Sequence, residues 1–191
     1  GIDIGNIRVS ANTGNTTLTL QDAMNADTIT IDASQTLSAG TARAISCAGT
    51  WANSGIFTHG NGTVTFDGTG TKSVTSASQP FYDVIFNGSS TWTISDPMSA
   101  ANDFTLTLGT ITQSGNLSIT RSYSQAAGTF DCSNPATYTF SAVNFSVTGT
   151  GTFNRYGNLA GTAHGAGTSM GDPYYVRDAY DLQAMNCTAN L

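Results

Sequence analysis

The chain contains no glutamate and a single lysine, Lys72, and only 9% of its 191 residues are charged, where an ordinary soluble domain carries about 25%. Every acidic residue is Asp. Losing Glu and nearly all Lys removes the strongest surface helix formers, so a helical fold is not expected. Basic residues are also scarce and scattered: Arg8, Arg43, Lys72, Arg121, Arg155 and Arg177 form no cluster, and the formal net charge is -6. Neutralising phosphates needs clustered Lys and Arg, so nucleic acid is not expected as a partner. No apolar run approaches the roughly 18 residues of a membrane-spanning helix. No charged n-region and apolar h-region stand before Gly1, so the chain is expected to begin at a processed or excerpted end.

Cysteine is equally sparse. Cys47, Cys132 and Cys187 lie far apart with no CxxC spacing, which argues against a zinc or thioredoxin-type site. Three readings stay open: buried thiols, one disulfide between Cys47 and Cys132, or Cys187 paired with another chain.

Thr, Ser, Asn and Gly fill the polar positions, interleaved with a 39% hydrophobic fraction. Such polarity would also suit a disordered chain, above all from Gly157 to Gly171, but the regularly placed apolar residues supply area that disordered segments lack. They recur in short runs of period two, among them Thr28 to Ile31 (TITI), Thr63 to Phe66 (TVTF), Thr91 to Ile94 (TWTI), Phe104 to Leu108 (FTLTL) and Thr137 to Phe140 (TYTF). That period puts one set of side chains in a core and the Thr set towards solvent. Turn signals (GNG, DGTG, NGSS, SNP) separate the runs.

Short, regularly spaced strands suit either a sandwich or a solenoid. The runs TVTFDG, DVIFNG and FTLTLG end at Gly68, Gly88 and Gly109, close to one coil length apart. A sandwich has no reason to keep that period. The expected fold is therefore all-β, a right-handed parallel β-solenoid over residues 1–156, with a β-sandwich pilin-like domain as the alternative. Stacked coils also give Thr and Asn a structural role, since like residues then stand above one another. Residues 157–191 read as a Gly-rich connection followed by a short helix, Asp178 to Met185, leading to a further module or to the chain end.

Solenoid ends are edges that pair with other chains unless capped. The N-terminal segment carries Ile2, Ile4, Ile7 and Val9 around Gly5 and is the candidate self-assembly strand; an ordinary first coil is the plainer reading.

Catalytic chemistry is not expected. Asp172, Asp178 and Asp181 form the densest acidic group, but Asp172 precedes Pro173 as a turn former and Asp178 stands as an N-cap. Asp67, Asp83, Asp96, Asp103 and Asp131 sit singly at strand ends, as turn residues do. His59 and His164 are isolated, no Ser occupies a G-x-S-x-G elbow, and Gly60 to Gly68 carries its Asp in the wrong place for a calcium repeat. No metal or cofactor is therefore expected. Trp51, Trp92, Tyr82, Tyr123 and Tyr138 could offer stacking faces to a glycan, although in TWTI Trp92 shares its face with Ile94 and reads as core.

Two stretches carry a family resemblance. GIFTHGNGTVTFDGTGTKSVTS with QPFYDVIFNG, from Gly55 onward, resembles repeats of very long secreted bacterial proteins, and GDPYYVRDAYDLQAM, Gly171 to Met185, is similar to the segment that precedes GLUG-type repeats in filamentous-haemagglutinin-like surface adhesins. The resemblance implies a β-helical, non-catalytic module at a bacterial cell surface or in a secreted filament. It implies as partners a second copy or the continuation of a long chain, with host or surface glycans as further candidates. The chain stops at Leu191, before any GLUG strand.

Overall fold

The structure is a computed structural model and describes residues 2–132 and 137–154. These residues form a β-solenoid of about seven turns, with no helix among them. Every strand pairing is parallel, which removes the sandwich alternative, because antiparallel hairpins are its building unit. The predicted helix at Asp178 to Met185 lies outside the described residues.

Each coil lays strands on three faces. The first face stacks Ile2–Asp3, Met24–Ala26, Ile45–Cys47 and Thr63–Phe66, then the leading half of Asp83–Ile94. The second stacks Ile7–Val9, Ile29–Ile31, Trp51–Asn53 and Gly70–Thr75, then the trailing half of Asp83–Ile94. Asp103–Gln113 continues both faces. The third face begins as a separate sheet of Thr17–Thr19, Thr36–Ser38 and Ile56–Thr58. Further along, Met98–Ala100 pairs with the start of Leu117–Gln125, and that with the start of Phe140–Val147. Thr129–Asp131 and Thr152–Asn154 close the second face.

The alternating runs dictate what faces inward. Trp92 and Ile94 are fully buried while Thr91 and Thr93 face solvent, and Phe104 and Leu106 are buried between half-exposed Thr105 and Thr107. Because register holds from coil to coil, like side chains stack. Phe104 lies over Tyr123, and Tyr123 over Phe145, with ring centroids 5.7 and 5.1 Å apart and near-parallel planes. Trp51 meets Phe57 and Phe81 edge-on from the second face into the third. On the solvent side, Thr91, Thr110, Thr129 and Thr152 form one in-register column.

The glycine period seen in the sequence marks a corner. Gly68, Gly88, Gly109 and Gly128 stack where the first face turns into the second, and a Cβ on Gly88 would lie 2.2 Å from the Gly68 carbonyl oxygen. On Gly109 it would lie 2.3 Å from the Gly88 carbonyl oxygen. The backbone passes too close to the coil beneath for any side chain. The extra residue between Gly88 and Gly109 is a bulge, where register shifts around Asn87 and the Thr107 hydroxyl donates to the Phe86 carbonyl (3.0 Å).

The cysteine pairing is corrected. Cys47 sits on the first face, four coils away from Cys132, a separation of about 19 Å at roughly 4.8 Å per coil, where a disulfide needs Cα atoms about 4.4–6.8 Å apart. Cys47 is instead a buried thiol directed at the Gly49 carbonyl at 3.3 Å, and burial pushes it up to about 12. Cys187 lies outside the described residues.

Candidate functional site: the outer edge of the first coil

The first coil comprises Ile2–Asp3, Ile7–Val9 and Thr17–Thr19, each pairing on one side only among the described residues. Its other side presents backbone N–H and C=O groups in strand geometry. Ile2 is fixed by its pairing with Met24, Ile4 is exposed, Ile7 is partly buried and Val9 is buried. Among the described residues the segment packs on the coil that follows it, through Ile2–Asp3 on Met24–Asn25 and Ile7–Val9 on Ile29–Ile31. Gly5 takes a φ of 64° at the corner between the two strands, and its N–H is held by Asp3 Oδ1 at 3.1 Å.

The third-face column shows what the edge lacks. Leu18 is 37% exposed, whereas its register partners Leu37 and Phe57 in the next two coils are buried. One more coil would cover it. The devices that blunt sheet edges, lysine and proline above all, are absent from the three strands. The one basic residue there, Arg8, turns down onto the second coil, its Nε reaching both carboxylate oxygens of Asp32 at 3.0 and 3.1 Å.

The aspartates that read as turn formers do more than shape their own turns: they staple neighbouring coils. Asp96 accepts the N–H groups of Ser76 and Ala77 in the preceding coil at 2.7 and 2.6 Å. It thereby holds a turn in which Ala77 and Ser78 both take positive φ. Asp83 accepts from Asn102 Nδ2 and from the Asp103 N–H; Asp103 accepts from Arg121 and from the Ser122 N–H. The hydrogen bonds and charge of Arg121 hold the Asp103 carboxyl below the usual carboxylate range. Asp67 accepts the Ser46 hydroxyl. Asp131 differs: burial raises its carboxyl, and its Oδ1 has no hydrogen-bond partner.

Asp3, Asp27 and Asp67 line an open cleft of about 180 Å³ with Asn25 and Ser46. Among the described residues no three ligating side chains converge closely enough to hold a metal ion. Asp172, Asp178, Asp181 and His164 lie outside the described residues. Of the proposed aromatic platforms, Trp51, Trp92 and Tyr123 are fully buried, which removes them, while Tyr82 and Tyr138 keep partial exposure. No helix among the described residues is long and apolar enough to cross a membrane.

What the sequence reading missed is a set of buried amides. Asn53, Gln113 and Gln125 lie inside the coils, and their NH₂ groups cap corner carbonyls, as Gln113 does for Gly115 and Thr139 at 2.9 and 2.7 Å. In the sequence they stand at apolar-parity positions of their runs, the one signal that could have found them.

No family model, no curated protein and no solved structure matches the chain.

Proposed function

We propose that this chain is a non-catalytic structural and adhesive module of an extracellular bacterial surface or filament protein, and that it stacks end to end with further coils. One observation carries the reading. The first coil leaves a full turn of strand backbone and the Leu18 side chain uncovered, in the geometry that every lower coil uses to bind its neighbour. Parallel coil-on-coil addition satisfies those groups with the hydrogen bonds already repeated through the stack. The added coil is supplied by a second copy or by continuation of the same long chain. The likeness of Gly55 to Phe86 to repeats of very long secreted bacterial proteins, and of Gly171 to Met185 to the segment that precedes GLUG-type repeats in filamentous-haemagglutinin-like adhesins, supports the surface setting.

Electron microscopy and sedimentation of the chain over a range of concentrations test the reading. Rod-like particles that lengthen with concentration are expected, and Leu18→Lys or Thr17→Pro should keep them single. A wild type that stays one stack long at high concentration would sink addition by a second copy, and turnover of a polysaccharide would sink the non-catalytic reading.

A further inference from the structure

The corner between the third and first faces carries a mixed aromatic and polar ridge. Tyr82, Asn102 and Arg121 occupy one column, because the Asn102 N–H bonds the Tyr82 carbonyl and the Arg121 N–H bonds the Asn102 carbonyl, both at 3.0 Å. Asp83, Asp103 and Ser122 form the column beside it. Below Tyr82, the half-exposed His59 ring lies 5.5 Å from the Tyr82 ring, tilted by 32°. His59 Nδ1 accepts the Asn61 N–H at 3.0 Å, so in the neutral imidazole the other ring nitrogen carries the proton and can donate.

We infer that this ridge binds a neutral linear glycan lying along the solenoid axis. The inference rests on the adhesive half of the proposed function and names its ligand class. Three features converge. Tyr82 is half-exposed in a protein that buries both described tryptophans, and a tyrosine ring presents an apolar face to the C–H side of a pyranose together with a hydroxyl for its polar rim. Successive coils set Tyr82, Asn102 and Arg121 at steps of about 4.8 Å, comparable to one sugar ring in a linear chain. The polar groups are fixed beforehand by bonds between columns, Asn102 Nδ2 to Asp83 (2.8 Å) and Arg121 to Asp103, so little side-chain entropy is lost on binding. Charge selects the class: two carboxylates against one guanidinium leave the ridge negative on a chain of net charge -6, which disfavours uronates and sialylated sugars.

The experiment titrates the full chain with neutral hexasaccharides (β-1,4-glucan, β-1,4-N-acetylglucosamine, β-1,4-mannan) and with oligogalacturonate, read by NMR or calorimetry. Expected is binding of at least one neutral member, weakened about tenfold, or 1.4 kcal/mol, in Tyr82→Ala. Thr93→Ala on the second face should leave it unchanged. Circular dichroism and melting of each variant separate lost binding from lost fold, and Asn102→Ala gives a second reading should Tyr82→Ala unfold. Equal affinity in wild type and both ridge variants, preference for oligogalacturonate, or no binding up to about 10 mM overturns the inference. Microscopy of the same samples reports end-to-end stacking independently, so failure of the stacking proposal is distinguishable from failure of this one.

Discussion

The Tyr123 hydroxyl donates to Gln125 Oε1 at 2.8 Å, deep in the core and two residues along the same strand. Gln125 passes the connection on, its Nε2 donating to the Gly128 and Thr152 carbonyls at 2.9 and 3.0 Å and so tying one coil to the next. Tyr123 also stacks between Phe104 and Phe145. Gln125→Leu keeps the volume but strands a hydroxyl and two corner carbonyls, and a loss of about 2–4 kcal/mol is expected in urea unfolding. Tyr123→Phe keeps the ring stack and leaves one amide oxygen unpaired, for a loss of about 1 kcal/mol. Equal losses for the two would mean that the rings alone hold this layer.

The corner ladder makes a sharper demand. Gly88→Ala drives a Cβ into the Gly68 carbonyl, and the neighbouring backbone can yield only by breaking the coil register. Destabilisation above about 3 kcal/mol is expected, beyond the ordinary range for a single added methyl. Gly14→Ala provides the contrast: nothing lies within 4 Å of its Cβ, so only its φ of 75° opposes the change, for about 1 kcal/mol. Chemical denaturation of the two variants side by side measures the difference.

Much of this architecture was written in the sequence, and the parts that were not share a cause. Period-two runs such as TWTI disclosed their buried face because Trp92 and Ile94 obey local alternation. The spacing of Gly68, Gly88 and Gly109 disclosed the stack because close backbone approach excludes every other residue at that corner. Asp96 and Gln125 were opaque for the opposite reason: their partners, Ser76 and Thr152, stand a coil away. The same holds for the ridge, where His59, Tyr82 and Arg121 look unrelated until coil stacking aligns them. The Cys47 to Cys132 pairing failed on distance along the axis, a quantity that appears only once coils are counted.

Asp96 offers a test of the inter-coil staples. Its carboxylate holds two N–H groups of the Ser76 to Ser78 turn, whose positive φ values at Ala77 and Ser78 are otherwise unfavourable. Asp96→Ala should cost about 1–3 kcal/mol and selectively accelerate amide hydrogen exchange at Ser76 and Ala77. Uniform acceleration throughout the stack would show that the turn opens only with global unfolding.

Alkaline pH acts on the core through Cys47. Burial raises the thiol to about 12 in the folded chain, against an ordinary value near 9.0, so the folded state holds its proton where the unfolded state releases it. The stabilising contribution is therefore complete below about pH 9 and is lost as pH rises from there towards 12. Tyr123, also raised by burial, acts in the same sense. Urea midpoints should fall steeply above pH 9, and Cys47→Ala should flatten the early part of that fall while costing some core packing at neutral pH. A thiol reagent at pH 8 should leave Cys47 untouched in the folded chain and label it on unfolding. Rapid native-state labelling would place the thiol at the surface and remove the alkaline effect together with its cause.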